Sequence, residues 1–289
     1  MAGSGFSERA WDQAYRAAVA QAFGTVPYYR EMWAEAGARR EDPAPTPVTR
    51  LEEVLAALYP LGAPYERRRE EPGWIGEPAE LLEALRLTGA YRGERPLFEV
   101  RRALLDWRRV GRARYHVVLS ADAEAADPET RAAGLRALRA AREPALLGDP
   151  GQLAELPDHP GGARLLVRLP LTDPAVSEHG AHEHGAHEHG AHGQEVHGQE
   201  VHGQEVHGHV VHDGHLGYLG GRDRGCGRVH VNWRRVHVRQ TPAGPLFTLL
   251  RRRRPTLVGI SVPGTAHLAV ERCARHGTPV LAAREAVAA

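Results

Sequence analysis

No lysine occurs anywhere in the 289-residue chain, so all 37 basic side chains are arginine. Arginine stays protonated in proteins, which excludes Schiff-base chemistry and a lysine general base. An internal pyridoxal-phosphate lysine and the lysine of a Walker phosphate loop are excluded with them. The bias toward Arg, Ala, Gly and Pro matches the codons of a GC-rich genome. Cysteine is also scarce: Cys226 and Cys273 are the only two, too few for a disulfide scaffold. No run of eighteen or more apolar residues occurs, so no membrane span is expected. The first residues, Met1 to Arg9, lack the basic-then-apolar order of a secretory leader. A cytoplasmic protein is therefore predicted. A formal charge of +1 gives no general attraction to nucleic acid or anionic membrane, and no nucleic-acid motif is found.

At 42% hydrophobic and 25% charged residues, the chain has apolar material for one large or two modest domains. From Phe6 to Phe23, apolar residues recur every three or four positions, which predicts a helix with Ser7 as its cap. Pro27 opens a second helix through Ala36, closed by Gly37, before the proline-rich linker Asp42–Pro47. Helical patterns recur at 49–58, 77–87 and 98–109, so residues 1–110 read as mostly helical. Residues 111–175 read as α/β, with strands at Tyr115–Leu119, Ala145–Leu147 and Ala163–Leu169 and a helix from Asp127 to Arg142. After a histidine-rich segment at 176–215, residues 216–289 return to α/β. There Val229 to Val238 predicts a bent strand or two short ones. Thr256–Val262, a helix from Ala266 to His276 closed by Gly277, and Pro279–Ala282 predict a strand–helix–strand unit. The fold class expected is α/β: a helical N-terminal region and a small parallel or mixed sheet, interrupted by a disordered histidine loop.

That loop is the most distinctive feature. Glu-His-Gly-Ala-His occurs three times at 178–192, Gly-Gln-Glu-Val-His three times at 193–207, and Gly-His-Val-Val-His follows at 208–212. His182, His187, His192, His197, His202, His207 and His212 keep one period of five, joined by His179, His184, His189, His209 and His215. Period five matches neither helix nor strand, and a glycine in each unit raises the entropy of ordering it, which predicts a mobile loop. Imidazoles at this density are able to surround Zn²⁺, Ni²⁺ or Cu²⁺. Zinc or nickel on the tract is the metal expected, although no cofactor is required. Repeat expansion in a tolerant loop would also produce such a tract, and so would selection for pH sensing.

Two further pairs have ligand spacing. Cys226 and His230 form C-x3-H, and Cys273 and His276 form C-x2-H, together a permitted Cys2His2 zinc set. Alternatively, Cys273 faces the core from a helix and His276 sits at that helix's C-terminus, where it favours the dipole.

The segment Val26-Pro-Tyr-Tyr-Arg-Glu-Met-Trp-Ala-Glu-Ala-Gly37, with Leu51-Glu-Glu-Val-Leu55 and Leu58-Tyr-Pro-Leu61, resembles the N-terminus of phenylacetate-CoA ligases, which are adenylate-forming enzymes. Leu87–Pro96 stands where that family carries its phosphate loop, and Thr88, Gly89, Gly93 and Pro96 are the residues that match it. The serine cluster is missing, and so is the family's C-terminal lysine. The resemblance therefore implies a scaffold without ATP chemistry. Leu216-Gly-Tyr-Leu-Gly220, Cys226–Arg239 and Arg253–Val258 resemble the WhiE-type first proteins of actinomycete spore-pigment clusters. That likeness implies a non-catalytic accessory role in aromatic polyketide formation, with synthase or carrier-protein components as partners.

Three readings follow: this accessory role, a divalent-metal-binding protein, and an acyl-adenylating ligase. Among minor constellations, His116, Ser120 and Asp122 have the residue types of a hydrolytic triad, but adjacent in sequence and without a nucleophile elbow. The arginines at 234–239 and 251–254 make a patch suited either to phosphate or to a solvated turn.

Overall fold

The structure, a computed structural model, describes residues 5–39, 42–47, 78–102, 108–123, 128–156, 162–178, 200–201, 204–251 and 256–284. Helix α1 (Glu8–Thr25) begins where the capping signal predicts: Ser7 Oγ accepts from the Ala10 amide at 3.3 Å. It buries Trp11, Tyr15, Ala18, Val19 and Ala22, while Phe23 remains 38% exposed. Helix α2 (Pro27–Glu35) starts on Pro27 and is stopped by Gly37, whose φ of +61° suits glycine. The helix expected at 49–58 lies outside the described residues.

The chain continues through β1 (Thr46–Pro47), α3 (Pro78–Leu87), β2 (Leu97–Arg101), β3 (Arg109–Val110), β4 (Ala113–Leu119), α4 (Pro128–Ala140), β5 (Ala145–Gly148), α5 (Pro150–Ala154) and β6 (Arg164–Pro170). Beyond these come β7 (Glu200–Val201), β8 (Gln204–Asp213), β9 (Gly217–Arg222), β10 (Val229–Val231), β11 (Val236–Thr241), β12 (Gly244–Leu249), β13 (Ile260–Ser261), β14 (Leu268–Arg272) and β15 (Pro279–Ala283).

The α/β class holds, but a mostly helical region 1–110 with a small sheet does not: β1, β2 and β3 fall within it and the main sheet is large. Among the described residues eleven strands form that sheet, in the order β14-β15-β10-β9-β8-β6-β5-β2-β4-β3, with β7 paired to β8. Strands β4, β2, β5, β6 and β8 run parallel, and β9, β10, β15 and β14 extend them antiparallel. A second sheet, β1-β13-β12-β11, packs with α1 and α2 over one face around Phe98, Val100, Leu146, Val167 and Val211. Helix α3 covers the other face with Leu81, Leu82 and Leu85. Burial on both faces leaves little of the period-two signal of a half-exposed strand.

Three expectations are corrected here. The helix expected at 98–109 is instead strand at both ends, β2 and β3, and its residues 103–107 lie outside the described residues. All five residues of β2 are buried, and its polar Glu99 and Arg101 pair internally rather than marking a solvent face. The helix expected at 266–276 is β14 and a turn, so the strand–helix–strand unit is an antiparallel hairpin with β15. As an edge strand, β14 exposes Glu271 and Arg272 in succession, which imitates a helical polar face. Finally, the mobile loop expected over 176–215 is overturned where the tract is described: Glu200–Val201 is β7 and Gln204–Asp213 is β8, held between β6 and β9. Gly-His-Val-Val-His supplies Val210 and Val211 to the core, and their ladder bonds outweigh the entropy of the repeat.

Candidate metal centre

Two hairpin turns of matching construction stand beside β10. The first joins β9 to β10: Asp223 N donates to Arg228 O at 3.0 Å, and Gly227 N donates to Asp223 O at 2.8 Å. The second joins β14 to β15: Cys273 N donates to Thr278 O at 2.9 Å, and Gly277 N donates to Cys273 O at 2.7 Å. Gly227 and Gly277 have φ of +68° and +67°, a left-handed conformation that other residues adopt only with strain. Cys226 and His276 therefore occupy equivalent places, each just before the glycine. Asp223 and Cys273 also correspond. Asp223 Oδ1 accepts from the amides of Gly225 and Cys226 at 2.9 and 3.0 Å, which fixes the loop that presents Cys226.

His230 comes from β10 itself. A Cβ at Gly220 on β9 would collide with the His230 carbonyl, so glycine allows the close strand approach that positions it. Because β10 and β15 are antiparallel with His230 opposite Val280, the two turns approach His230 from either end of this short pair. Arg228 pairs with Glu271, and Arg275 donates to the Gly225 carbonyl, tying the turns together.

The result is a closed group. The ligand atoms of Cys226, His230, Cys273 and His276 all lie within 4.8 Å of one another. Cys226 Sγ is 3.0 Å from His230 Nε2, Cys273 Sγ is 3.5 Å from His276 Nδ1, and the imidazoles meet edge to face at 4.9 Å. Tetrahedral zinc with S and N ligands at its usual bond lengths separates ligand atoms by about 3.4–3.8 Å. Small side-chain shifts reach that arrangement, so this Cys2His2 group is able to hold a metal ion.

Its electrostatics favour the neutral forms of both His230 and Cys226. Burial, with a lesser contribution from His276, lowers the His230 pKa to about 4, so the ring is neutral at pH 7. His230 Nδ1 lies 2.7 Å from Thr278 Oγ1. With the Nδ1 proton on that hydroxyl, the Nε2 lone pair faces the cysteines. Burial, with lesser contributions that include the neighbouring Cys273 thiol, pushes the Cys226 thiol up to about 11. Without a cation, the pocket disfavours the thiolate that a cation would stabilise.

The other predicted ligands are dispersed. His207 Nδ1 lies 2.9 Å from the Glu205 carbonyl, His212 packs on Tyr218 at 4.8 Å, and His215 Nδ1 lies 3.9 Å from Asp213. His209 is lowered to about 4, mainly by burial and further by Arg222. Among the described residues these four form no metal-ligand cluster. His179, His182, His184, His187, His189, His192, His197 and His202 lie outside the described residues.

The phosphate-loop positions serve the fold. Thr88 is fully buried at the end of α3, its hydroxyl donating to Leu85 O at 2.7 Å and accepting from Ala90 N at 3.0 Å. Gly89 and Gly93 make positive-φ turns, and Pro96 O accepts the Ala145 amide. A pocket of about 310 Å³ beside them is lined by Gly89, Arg92, Glu94, Arg95 and Arg164 among others. Ser120 donates to Asp122 at 2.6 Å, whereas His116 stacks on Phe98, so no triad is assembled. Several of the 234–239 arginines are engaged within the chain: Arg235 with Glu83, Arg239 with Asp42, and Arg234 over the Trp233 ring. Arg252–Arg254 lie outside the described residues.

A second polar cluster, which no sequence pattern announces, lies in the parallel part of the sheet. Glu99 is fully buried and accepts from Arg101 at 3.0 Å, Arg168 at 2.8 Å, and the hydroxyls of Tyr115 and Tyr218. Arg168 also reaches Asp149 at 2.8 Å and Gln152 at 3.0 Å. Burial pushes the Glu99 carboxyl up, but the two arginines and two tyrosines outweigh it and hold it below its usual range.

Thr278 and Asp223 are supporting residues that the ligand spacing does not single out. A signal for Asp223 exists as a repeated pattern, Asp223-x-x-Cys-Gly and Cys273-x-x-His-Gly, each between strands. No protein-family model matches the chain, and no curated protein matches it. Among the described residues, no helix is long and apolar enough to cross a membrane.

Proposed function

We propose that the protein binds one zinc ion through Cys226, His230, Cys273 and His276, and that the ion's role is structural. The convergence of four ligand atoms within 4.8 Å carries this reading. Two thiolates and two neutral imidazoles neutralise a divalent cation and suit zinc's tetrahedral preference. Four protein donors leave no open position for substrate, which favours structure over catalysis. Two of the ligands belong to the β14–β15 hairpin, whose β15 meets β10 through only Val229–Leu281 and His230–Val280. A shared ion would fasten that hairpin to the β9–β10 turn.

Cobalt substitution tests this, because sulfur-to-cobalt charge transfer and strong tetrahedral ligand-field bands arise from a Cys2His2 site and not from the histidine tract. One cobalt per chain with these bands is expected, and Cys226→Ser with Cys273→Ser should abolish them. Tetrahedral bands that survive the double substitution would place the ion elsewhere.

The accessory role in aromatic polyketide formation stays as a second reading. What favours it is that two of the three stretches carrying the spore-pigment resemblance, Leu216–Gly220 and Cys226–Arg239, contribute to β9 and to the turn and β10 that hold Cys226 and His230. Synthase or carrier-protein components are the partners proposed, and absence of polyketide synthase genes around its own gene would remove the support. Acyl adenylation has less behind it, because the Thr88 hydroxyl already bonds within the fold. Acid-dependent pyrophosphate release would restore it.

A further inference from the structure

We infer that Cys226 and Cys273 form a redox switch, in which a peroxide converts the two zinc-bound sulfurs to a disulfide and so releases the metal. The inference rests on the zinc reading above. They are the chain's only cysteines, far apart in sequence, and their sulfurs lie within 4.8 Å of each other. Sulfurs this close need only a local shift of their side chains to reach bonding distance, provided the turns allow the disulfide dihedral. Both turns end on a left-handed glycine and meet through side chains at the sheet margin, where such adjustment is local.

Exposure divides the chemistry between them. Cys226 is partly exposed, whereas Cys273 is 2% exposed. An oxidant therefore meets Cys226 first, and Cys273 waits behind it as the resolving sulfur. The Cys226 thiolate attacks one peroxide oxygen, the O–O bond breaks, and the departing hydroxide takes a proton to become water. This leaves a sulfenic acid on Cys226. The Cys273 thiolate then attacks the Cys226 sulfur, an S–S bond forms, and the second hydroxide leaves as water with another proton. The protein has lost two electrons and the peroxide has gained them. Only His230 and His276 remain as donors, and two imidazoles hold zinc far more weakly than a Cys2His2 set.

The test uses reduced, zinc-loaded full-length protein treated with hydrogen peroxide, beside a chelator that outcompetes the histidine tract. One equivalent of zinc should leave per chain, with a mass two hydrogen atoms lighter and a Cys226–Cys273 cross-linked peptide. Dithiothreitol and zinc should restore the starting state. Cys273→Ser should instead accumulate a sulfenic acid on Cys226 that dimedone traps. Release accompanied by sulfinic acid and no cross-link would overturn the switch. So would thiols and zinc content unchanged by peroxide, and in that case the zinc reading would stand. Failure of the reduced protein to hold a cysteine-dependent ion would remove both.

Discussion

Two polar clusters belong to one eleven-stranded sheet, and they differ in the groups they bring together. Around Glu99 every donor has an acceptor: two arginines and two tyrosines converge on one carboxylate, and Arg168 continues to Asp149 and Gln152. At the β9–β10 and β14–β15 turns, two cysteines and two histidines face one another, a set that could hold a cation. The first cluster pairs opposite charges within the chain, whereas the second gathers four groups of the type that ligate a metal. Burial of polar groups alone does not mark a candidate site; the chemical type of the groups brought together does.

Breaking the charge-paired cluster should have the largest effect. Glu99→Gln removes the buried carboxylate that Arg101 and Arg168 share, while Arg168 keeps its pair with the partly exposed Asp149, and a loss of roughly 3–5 kcal/mol is expected in urea unfolding. A loss below about 1 kcal/mol would show that water reaches the arginines and that the cluster is not closed. Metal removal is the matching test of the other region. A chelator should lower unfolding stability by about 3–4 kcal/mol relative to zinc in hundred- to thousand-fold excess over its dissociation constant. Cys273→Ser should show the lower value with and without chelator, while Glu99→Gln should keep its full response to zinc.

Thr278→Val sharpens the comparison without dismantling either cluster. Loss of the hydroxyl that orients His230 should weaken zinc binding about 10- to 100-fold, measured by competition with a chromogenic chelator. Unchanged affinity would mean that Thr278 does not set the tautomer.

Acid should separate the regions least dramatically. His209 and His230 have folded-state pKa values near 4, below the unfolded value of about 6.5. The unfolded chain therefore takes up protons first as pH falls, and the stability present above 6.5 is lost between 6.5 and 4. His209→Gln should flatten its share of that slope, on the order of 1–2 kcal/mol, without altering zinc binding. A slope identical to the parent protein's would show that His209 is solvated.

Much of the fold was legible where short-range chemistry decides it. Ser7 and Pro27 announced the first two helices, and Tyr115–Leu119, Ala145–Leu147 and Ala163–Leu169 announced β4, β5 and β6, within a residue or two of their ends. Illegible elements were those whose state depends on distant partners. β2 is buried on both faces, so its alternation is hidden. β14 alone resembles an amphipathic helix, and only pairing with β15 makes it a strand. β8 grows out of the repeat because β6 and β9 stand on either side of it.

The site divides in the same way. Composition and spacing by themselves determined that the chain has no lysine chemistry, that its two cysteines each have a histidine within four positions, and that glycine follows a candidate ligand in both turns. These are local facts, fixed by residue type and by the conformations glycine permits. Only the tertiary structure decided that Cys226 and His230 meet Cys273 and His276, and that the tract's described histidines do not gather. That choice belongs to strand order, because β15 pairs with β10 and so closes over a sequence separation that no local preference can encode.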